Sequence, residues 1–378
     1  MTWAPTAGEL AVIGHTGGSG LANNATMFVK AFQAMGVGHR FFDSHRFQLI
    51  QAYQPHDAAA LERDIALYTV NADEFAAAQA GFETQHGQGR AACPIGFFLW
   101  ETTRPPRLHR LVQPLLREVW VPTEFVRRVY RDLFDDAIEV VNVGKCITLP
   151  PELELPSQPQ PHPPPAAAEP FVFLNISDFD SSIRRKHPLP VVQAFLRAFR
   201  SDPDVRLVLK VRKIDLDHWS NAGRYWQQVV SAIGGDPRIS ILHGNLPQRD
   251  YWRLLQSAGC LVTLHRAEGF CYGAAHAMLL NVPVIATDFS GTQDFCTPDT
   301  AWPVAAELVP VQPGETRYHE DVGLWASPDI DHAAQQMRAV RQGGAAVLAR
   351  TQRAQQLVAQ QYSAERFQAT LHGRLARG

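Results

Sequence analysis

The feature that most constrains this chain is the run PPELELPSQPQPHPPPAAAEP at Pro150–Pro170. Proline lacks a backbone donor and fixes φ, so a run this rich in it holds neither helix nor central strand. It reads as a semi-extended linker. At 378 residues the chain also exceeds what one compact core organises, so two domains are expected. On both sides of the run, short apolar or β-branched stretches alternate with helical patterns. Before it, Leu10–Ile13 leads into a glycine-rich turn and a helical stretch at Ala25–Met35, with Ile95–Trp100 and Val119–Val121 further on. After it, Phe171–Ile176, Val205–Val211, Ile239–Leu242, Cys260–Leu264 and Pro283–Thr287 read as buried strands, each followed by a helix or loop. Such alternation is the signature of α/β units with parallel sheets and crossover helices. Two such units leave a cleft, where ligands usually bind.

Composition removes several classes of function. Lys and Arg number 35 against 37 Asp and Glu, a net charge of −2, so no nucleic-acid partner is expected. The five cysteines are widely spaced with no CxxC pair, which suits a reduced, cytoplasmic compartment better than disulfides or a zinc site. No Lys or Arg precedes Lys30, so no signal peptide is expected. No stretch approaches the roughly 18 apolar residues of a membrane span, which leaves only peripheral membrane contact.

Two segments of the second half carry chemistry. The strand Cys260–Leu264 runs into the loop His265-Arg-Ala-Glu-Gly-Phe-Cys-Tyr-Gly273 and a helix Ala274–Leu280 that Asn281 can close. Gly269 and Gly273 let backbone amides approach a ligand, and the free N–H groups of the new helix favour an anion. Glu268 could accept hydrogen bonds from sugar hydroxyls, with His276 facing the same crevice. The plain alternative is a tight turn with a solvated glutamate. The second segment is Ser177-Asp-Phe-Asp-Ser-Ser-Ile-Arg-Arg-Lys-His-Pro188, where Pro188 suits the first helical position. Arg184, Arg185 and Lys186 then crowd a helix N-terminus, the wrong sign for its dipole unless an anion is held there. A diphosphate would supply one; a basic solvated loop is the alternative. Lys210, at the end of LVLK, points to the same edge. Asp178/Asp180 and Asp215/Asp217 have DxD spacing, but no metal site is expected, because cations already serve the leaving diphosphate.

The stretch HRAEGFCYGAAHAMLLNVPVIATDFSGTQDF, His265–Phe295, resembles the donor-binding signature of retaining GT-B glycosyltransferases of family 4. DFDSSIRRKHP resembles the phosphate-binding loop of one bacterial branch of that family. FFLWETTRPP (Phe97–Pro106), EVWVPTEFVRRVY (Glu118–Tyr130), LYTVNADEF around Asn71, WASPDIDHAAQQM (Trp325–Met337) and the terminal QYSAERF extend the resemblance over nearly the whole chain. It implies a GT-B fold of two Rossmann-like domains facing a cleft. Residues 1–155 would form the acceptor-binding domain, with a helix at 360–378 crossing back onto it. Residues 156–169 would be the linker and 170–359 the nucleotide-sugar-binding domain.

By the same resemblance, Glu268 holds the transferred sugar, and Arg185 and Lys186 bind the donor diphosphate. The loop of Gly269, Phe270, Cys271, Tyr272 and Gly273 lines the sugar and phosphate pocket. Gly244, Asn245 and Leu246 receive the base. Two departures stand out. The second paired glutamate, usually the ribose ligand, is His276, whose neutral imidazole makes one hydrogen bond rather than gripping a diol. The usual Gly-Leu-Pro is Cys271-Tyr272-Gly273, a bulkier and less rigid turn.

In the first half, the loop Gly14–Gly20 matches neither a dinucleotide fingerprint nor a phosphate loop with its lysine. By family analogy it approaches the donor phosphate, with Gly17 and Gly18 as candidates; a plain turn is the alternative. Glu101 closes GFFLWE and could orient an acceptor hydroxyl or stabilise developing positive charge; packing and capping is the other reading. Arginines 104, 107, 110, 117, 127, 128 and 131 make a basic stretch that would attract an anionic lipid-linked acceptor or the inner leaflet, unless it is simply a solvated helix face. The expected function is metal-independent, configuration-retaining sugar transfer in bacterial-type polysaccharide, lipid-linked glycan or glycoconjugate assembly. It uses a nucleotide-diphosphate sugar as co-substrate and no other cofactor. The second reading is a weakened relative that binds nucleotide-sugar or glycan as a partner subunit. An oxidoreductase would need the glycine fingerprint and an acid about 20 residues on, which are missing.

Overall fold

The computed structural model describes residues 10–376 apart from 18–19, 56–60, 62–63, 87–92, 151–152, 154–169, 181, 216, 218–219 and 319. The proline-rich segment therefore lies almost wholly outside the described residues. The chain divides into two compact units: Met1–Trp100 with Arg104–Cys146 and Tyr362–Gly378, and Glu101–Thr103 with Ile147–Gln361.

The first unit runs β1 (Leu10–Gly14), α1 (Gly20–Ala34), β2 (His39–Asp43), β3 (Leu49–Tyr53), β4 (Ile65–Thr69), α2 (Ala72–His86) and β5 (Pro94–Phe97). A 3-10 segment (Arg107–Leu115), β6 (Glu118–Val121), α3 (Glu124–Phe134) and β7 (Glu139–Asn142) complete its sheet. Strand order is β3-β2-β1-β4-β5-β6-β7, parallel except for the edge pair β2–β3. LAVIG and IALYT, the central strands β1 and β4, are buried throughout, as strands covered on both faces must be. The first helix starts at Gly20, five residues before the expected Ala25. Burial of Ala22 and Asn24 outweighs the low helix propensity of Gly-Leu-Ala-Asn-Asn.

The second unit runs β8 (Phe171–Asp178), α4 (Ile183–Lys186), α5 (Pro188–Ala198), β9 (Val205–Arg212), α6 (Asn221–Ile233), β10 (Ile239–His243) and α7 (Gln248–Ser257). It continues through β11 (Cys260–Thr263), α8 (Tyr272–Leu279), β12 (Val284–Thr287), a 3-10 turn (Ser290–Asp294) and β13 (Trp302–Val304). The antiparallel pair β14 (Ala306–Pro310) and β15 (Leu324–Pro328) precedes α9 (Ile330–Gln342) and α10 (Ala345–Gln361). Its parallel sheet has order β10-β9-β8-β11-β12-β13. The order reverses beside β8, so the ends of β8 and β11 form the switch point at which open α/β sheets bind ligands.

The last helix, α11 (Ala364–Leu375), belongs to the first unit. Ser363 Oγ accepts from Arg366 N at its start. Phe367 and Leu371 enter that unit's core, with the Phe367 ring 5.4 Å from Phe28. Arg374 ties the helix end to Glu118 and, at 2.8 Å, to Glu139.

Candidate active site

The site is built where β8 and β11 end. After β8, the chain makes the single turn α4, passes His187 in the left-handed region (φ 54), and starts α5 at Pro188. The three cations therefore lie in the last turn of a separate short helix, where their sign suits the dipole. This corrects the expectation that they face the dipole of the helix starting at Pro188. His187, too strained for a continuous helix, separates the two. After β11, the loop 264–271 carries Glu268 inward and α8 begins at Tyr272, earlier than the expected Ala274, with Cys271 (φ 73) at its cap.

Glu268 is 5% exposed. Its Oε1 lies 2.5 Å from Lys186 Nζ and its Oε2 3.0 Å from Arg185 Nη1. Burial works to raise the Glu268 pKa, but the Lys186 ammonium and Arg185 guanidinium outweigh it and hold the carboxyl at about 2. Arg185 also donates from Nη1 to Ala267 O at 2.8 Å, and its Nη2 lies 3.6 Å from Glu101 Oε1. The carboxylate is thus ionised in a buried place, and two cations converge on it.

Backbone bonds hold both loops. Arg266 N donates to Arg185 O at 2.8 Å, joining the loop after β11 to α4. Glu268 N donates to Ser290 Oγ and Gly291 N donates to Glu268 O, each at 2.8 Å. Ser290 takes φ 69, and a Cβ on Gly291 would meet Glu268 O at 2.8 Å and Gly269 O closer still. Ser290 and Gly291 are positioning residues that sequence reasoning missed. Their only signal was the small-residue pair in DFSGTQDF.

The other expected residues scatter. Arg184 turns away from Glu268 toward Glu315 (3.4 Å) and the Tyr225 ring. Lys210 lies within β9, which runs on to Arg212, and its ammonium donates to the carbonyls of Gly244 and Val211. It therefore braces the turn at Gly244 (φ 111), beside exposed Asn245 and half-buried Leu246. Gly269 and Phe270 are buried, whereas Cys271, Tyr272 and Gly273 are half-buried. Gly17 is exposed at φ 105, and Gly18 lies outside the described residues. Asp178 is ion-paired with Arg212 at 2.5 Å, and Asp180 with Lys213 at 2.6 Å.

His276 sits in an aromatic recess. Its Nδ1 is 2.9 Å from Tyr251 Oη, and the Trp252 and Tyr272 rings lie 4.4 and 5.7 Å from its own. Desolvation by this packing lowers its pKa to about 3, so the imidazole is neutral. Tyr251 and Trp252 gave no sequence signal beyond the apolar face of a helix.

No protein-family model matches this chain, and no curated protein matches it. Solved structures do match. A point mutant of TarM from S. aureus, complexed with Fondaparinux, alpha-GlcNAc-glycerol and UDP, superposes with TM-score 0.58 at 11% identity over 89% of this chain. HepE from Anabaena, complexed with UDP and glucose, gives 0.62 at 13% identity, covering 98% of this chain and 100% of its own. A UDP-forming α,α-trehalose-phosphate synthase from Burkholderia xenovorans gives 0.65 at 10% identity, covering 98% and 99%. The chain spans 64% of that TarM chain and 56% of pneumococcal GtfA. The fold is GT-B, with two Rossmann-like domains.

Proposed function

We propose that the protein is a glycosyltransferase that moves a sugar from a nucleotide-diphosphate donor to a glycan, lipid-linked or glycoconjugate acceptor. The observation that carries this reading is Glu268, ionised and buried at the switch point between Arg185 and Lys186. A fixed carboxylate there accepts hydrogen bonds from sugar hydroxyls. Two adjacent cations meet the negative charge that grows on a departing diphosphate. The three structures described above support it: two hold UDP, and the third is of a UDP-forming enzyme.

In the reaction, the bond from the anomeric carbon to the phosphate oxygen breaks and a bond from the acceptor oxygen forms. The acceptor proton passes to the departing phosphate. Attack on the leaving-group face retains configuration, in keeping with the sequence resemblance. Arg185 and Lys186 take the phosphate oxygens. The loop of Gly269–Gly273 borders sugar and phosphate, and Gly244–Leu246 with His276 borders the nucleoside. Glu101 steadies Arg185. Metal independence is part of the proposal, because Asp178 and Asp180 are already occupied by arginine and lysine.

Calorimetric titration in EDTA with UDP, GDP, ADP, CMP and dTDP, each against its nucleoside, tests the reading. Tighter binding of one nucleoside diphosphate than of its nucleoside, with turnover of a matching sugar donor, is expected. Binding without turnover of any donor, or no binding even at millimolar concentration, would sink the transferase reading and bring the partner-subunit reading to the front.

A further inference from the structure

Arg184, which turns away from Glu268, meets a second guanidinium on its own side. Arg266, in the loop after β11, has its guanidinium carbon 4.5 Å from the Trp325 ring centre, and that of Arg184 is 5.4 Å from the Tyr225 ring centre. A planar cation stacked on an aromatic face keeps its N–H edge available and fixed in direction. The two edges converge on one oxygen: Glu315 Oε1 is 3.4 Å from Arg184 Nη1 and 3.5 Å from Arg266 Nη1. Glu315 comes from the connection between β14 and β15, and its other oxygen accepts from Gln312 N at 2.9 Å. Side-chain exposures of 25% for Arg184, 19% for Arg266 and 15% for Glu315 mean that solvent reaches the cluster.

The cluster is short of acceptors. Charge-assisted bonds close to about 2.7–2.9 Å, and neither guanidinium comes that near to Glu315. Arg266 Nε meets His187 Nε2 only at 3.5 Å. Arg184 Nε is buried with no hydrogen-bond partner, and so is the indole N–H of Trp325. Leftover buried donors in a folded protein call for an acceptor. Charge is uneven as well. Arg184 and Arg266 share the single carboxylate of Glu315, which leaves one positive charge in excess. Arg317, Glu320 and Asp321 of the same connection are exposed, and Asp321 accepts from Gly323 N. His187 adds no charge: its Nδ1 is 2.7 Å from Tyr225 Oη, and burial, with the Arg266 and Arg184 guanidiniums nearby, holds its pKa well below the usual value.

We propose that Arg184 and Arg266 form a binding site for a phosphoryl group, in which Glu315 is a built-in stand-in that the ligand displaces. A phosphate offers several oxygens where Glu315 offers one, so each guanidinium can close to a short, two-pronged contact, and the excess positive charge is met. The site is distinct from the Glu268 cluster, where Glu268 and Glu101 already match Arg185 and Lys186. It does not depend on sugar transfer.

The test is calorimetric titration of the full chain with inorganic phosphate and with methyl phosphate. Glu315→Gln removes the competing carboxylate and should tighten phosphate binding about tenfold or more. Arg184→Gln, added to that variant, should weaken it by about the same factor. Circular dichroism would show that the variants are folded, and Glu315→Ala replaces Glu315→Gln if the latter is not. Phosphate affinity unchanged by loss of the Glu315 carboxylate, or no phosphate binding by that variant, would overturn the proposal. So would tight binding that survives Arg184→Gln, which would place the anion on Arg185 and Lys186. With both effects present, methyl phosphate binding as tightly as phosphate would identify a phosphate monoester as the ligand, and its exclusion would identify the free ion.

Discussion

Replacing Glu268 by glutamine keeps the side-chain shape and removes its charge. Arg185 and Lys186 are only 12% and 21% exposed, so the change leaves two largely buried cations with one carboxylate, Glu101, at 3.6 Å from Arg185. Removing one member of a buried pair costs about 3–5 kcal/mol. The remaining solvent at Lys186 and the help from Glu101 place this case at the lower end, about 3 kcal/mol. An independent route agrees: a carboxyl held at about 2 rather than at 4.5 corresponds to about 3 kcal/mol of charge stabilisation. A domain of this size loses about 2–4 °C of Tm per kcal/mol, so a fall of about 6–12 °C is expected. A nucleoside diphosphate supplies a replacement anion, and by linkage it should raise the Tm of Glu268→Gln more than that of the parent. Calorimetric melting in EDTA, with and without UDP or uridine, reads both effects. An unchanged Tm would refute the argument that these cations hold the loop. Equal recovery by uridine and UDP would refute the assignment of the same cations to a diphosphate.

Acidification should destabilise the protein in two steps. The unfolded chain protonates its histidine near 6.5 while folded His276 stays neutral to about 3, so stability falls as pH drops through that window, by at most about 1.4 kcal/mol per unit. Glu268 adds its loss between about 4.5 and 2; urea midpoints that rise as pH falls from 6.5 to 4.5 would contradict the His276 sign, and midpoints that rise as pH falls below 4.5 would contradict both. Gly291→Ala should cost about 1–3 kcal/mol or more, because its Cβ meets the backbone of Glu268 and Gly269 rather than a yielding side chain; chemical denaturation checks this. Arg374→Ala leaves buried Glu118 without its ion pair and should expose the C-terminal helix to limited proteolysis, whereas a protease pattern like the parent's would show that Phe367 and Leu371 suffice.

Much of the second unit was legible because its strands are short apolar runs bounded by glycine, proline or charge. Phe171, Val205, Ile239 and Cys260 each begin a strand where the sequence placed one. Strand β2 was missed because HRFFD has charge at both ends, yet it buries His39, Phe41, Phe42 and Asp43. The isolated turn Ile183–Lys186 was missed because a contiguous basic run gives no sign of the left-handed His187 that ends it. The pairing of Glu268 with Lys186 spans 82 residues, and local patterns carry no information over that distance. The sequence offered the cations and the acid separately, each with its own expected ligand. The structure shows them neutralising one another.

The contact between His276 and Tyr251 has a consequence for what the aromatic recess can recognise. A phenolic hydroxyl both donates and accepts, and a neutral imidazole exists as two tautomers. When Tyr251 donates to Nδ1, the far nitrogen of His276 carries hydrogen and offers it outward. When the proton sits on Nδ1 and points at the Tyr251 oxygen, that far nitrogen offers a lone pair instead. Rotation of one hydroxyl and relocation of one ring proton thus invert the polarity of the recess without moving a heavy atom. A carboxylate in its place could only accept. For the donor site proposed above, the recess would be an ambidextrous contact, able to satisfy a donor on one ligand and an acceptor on the next.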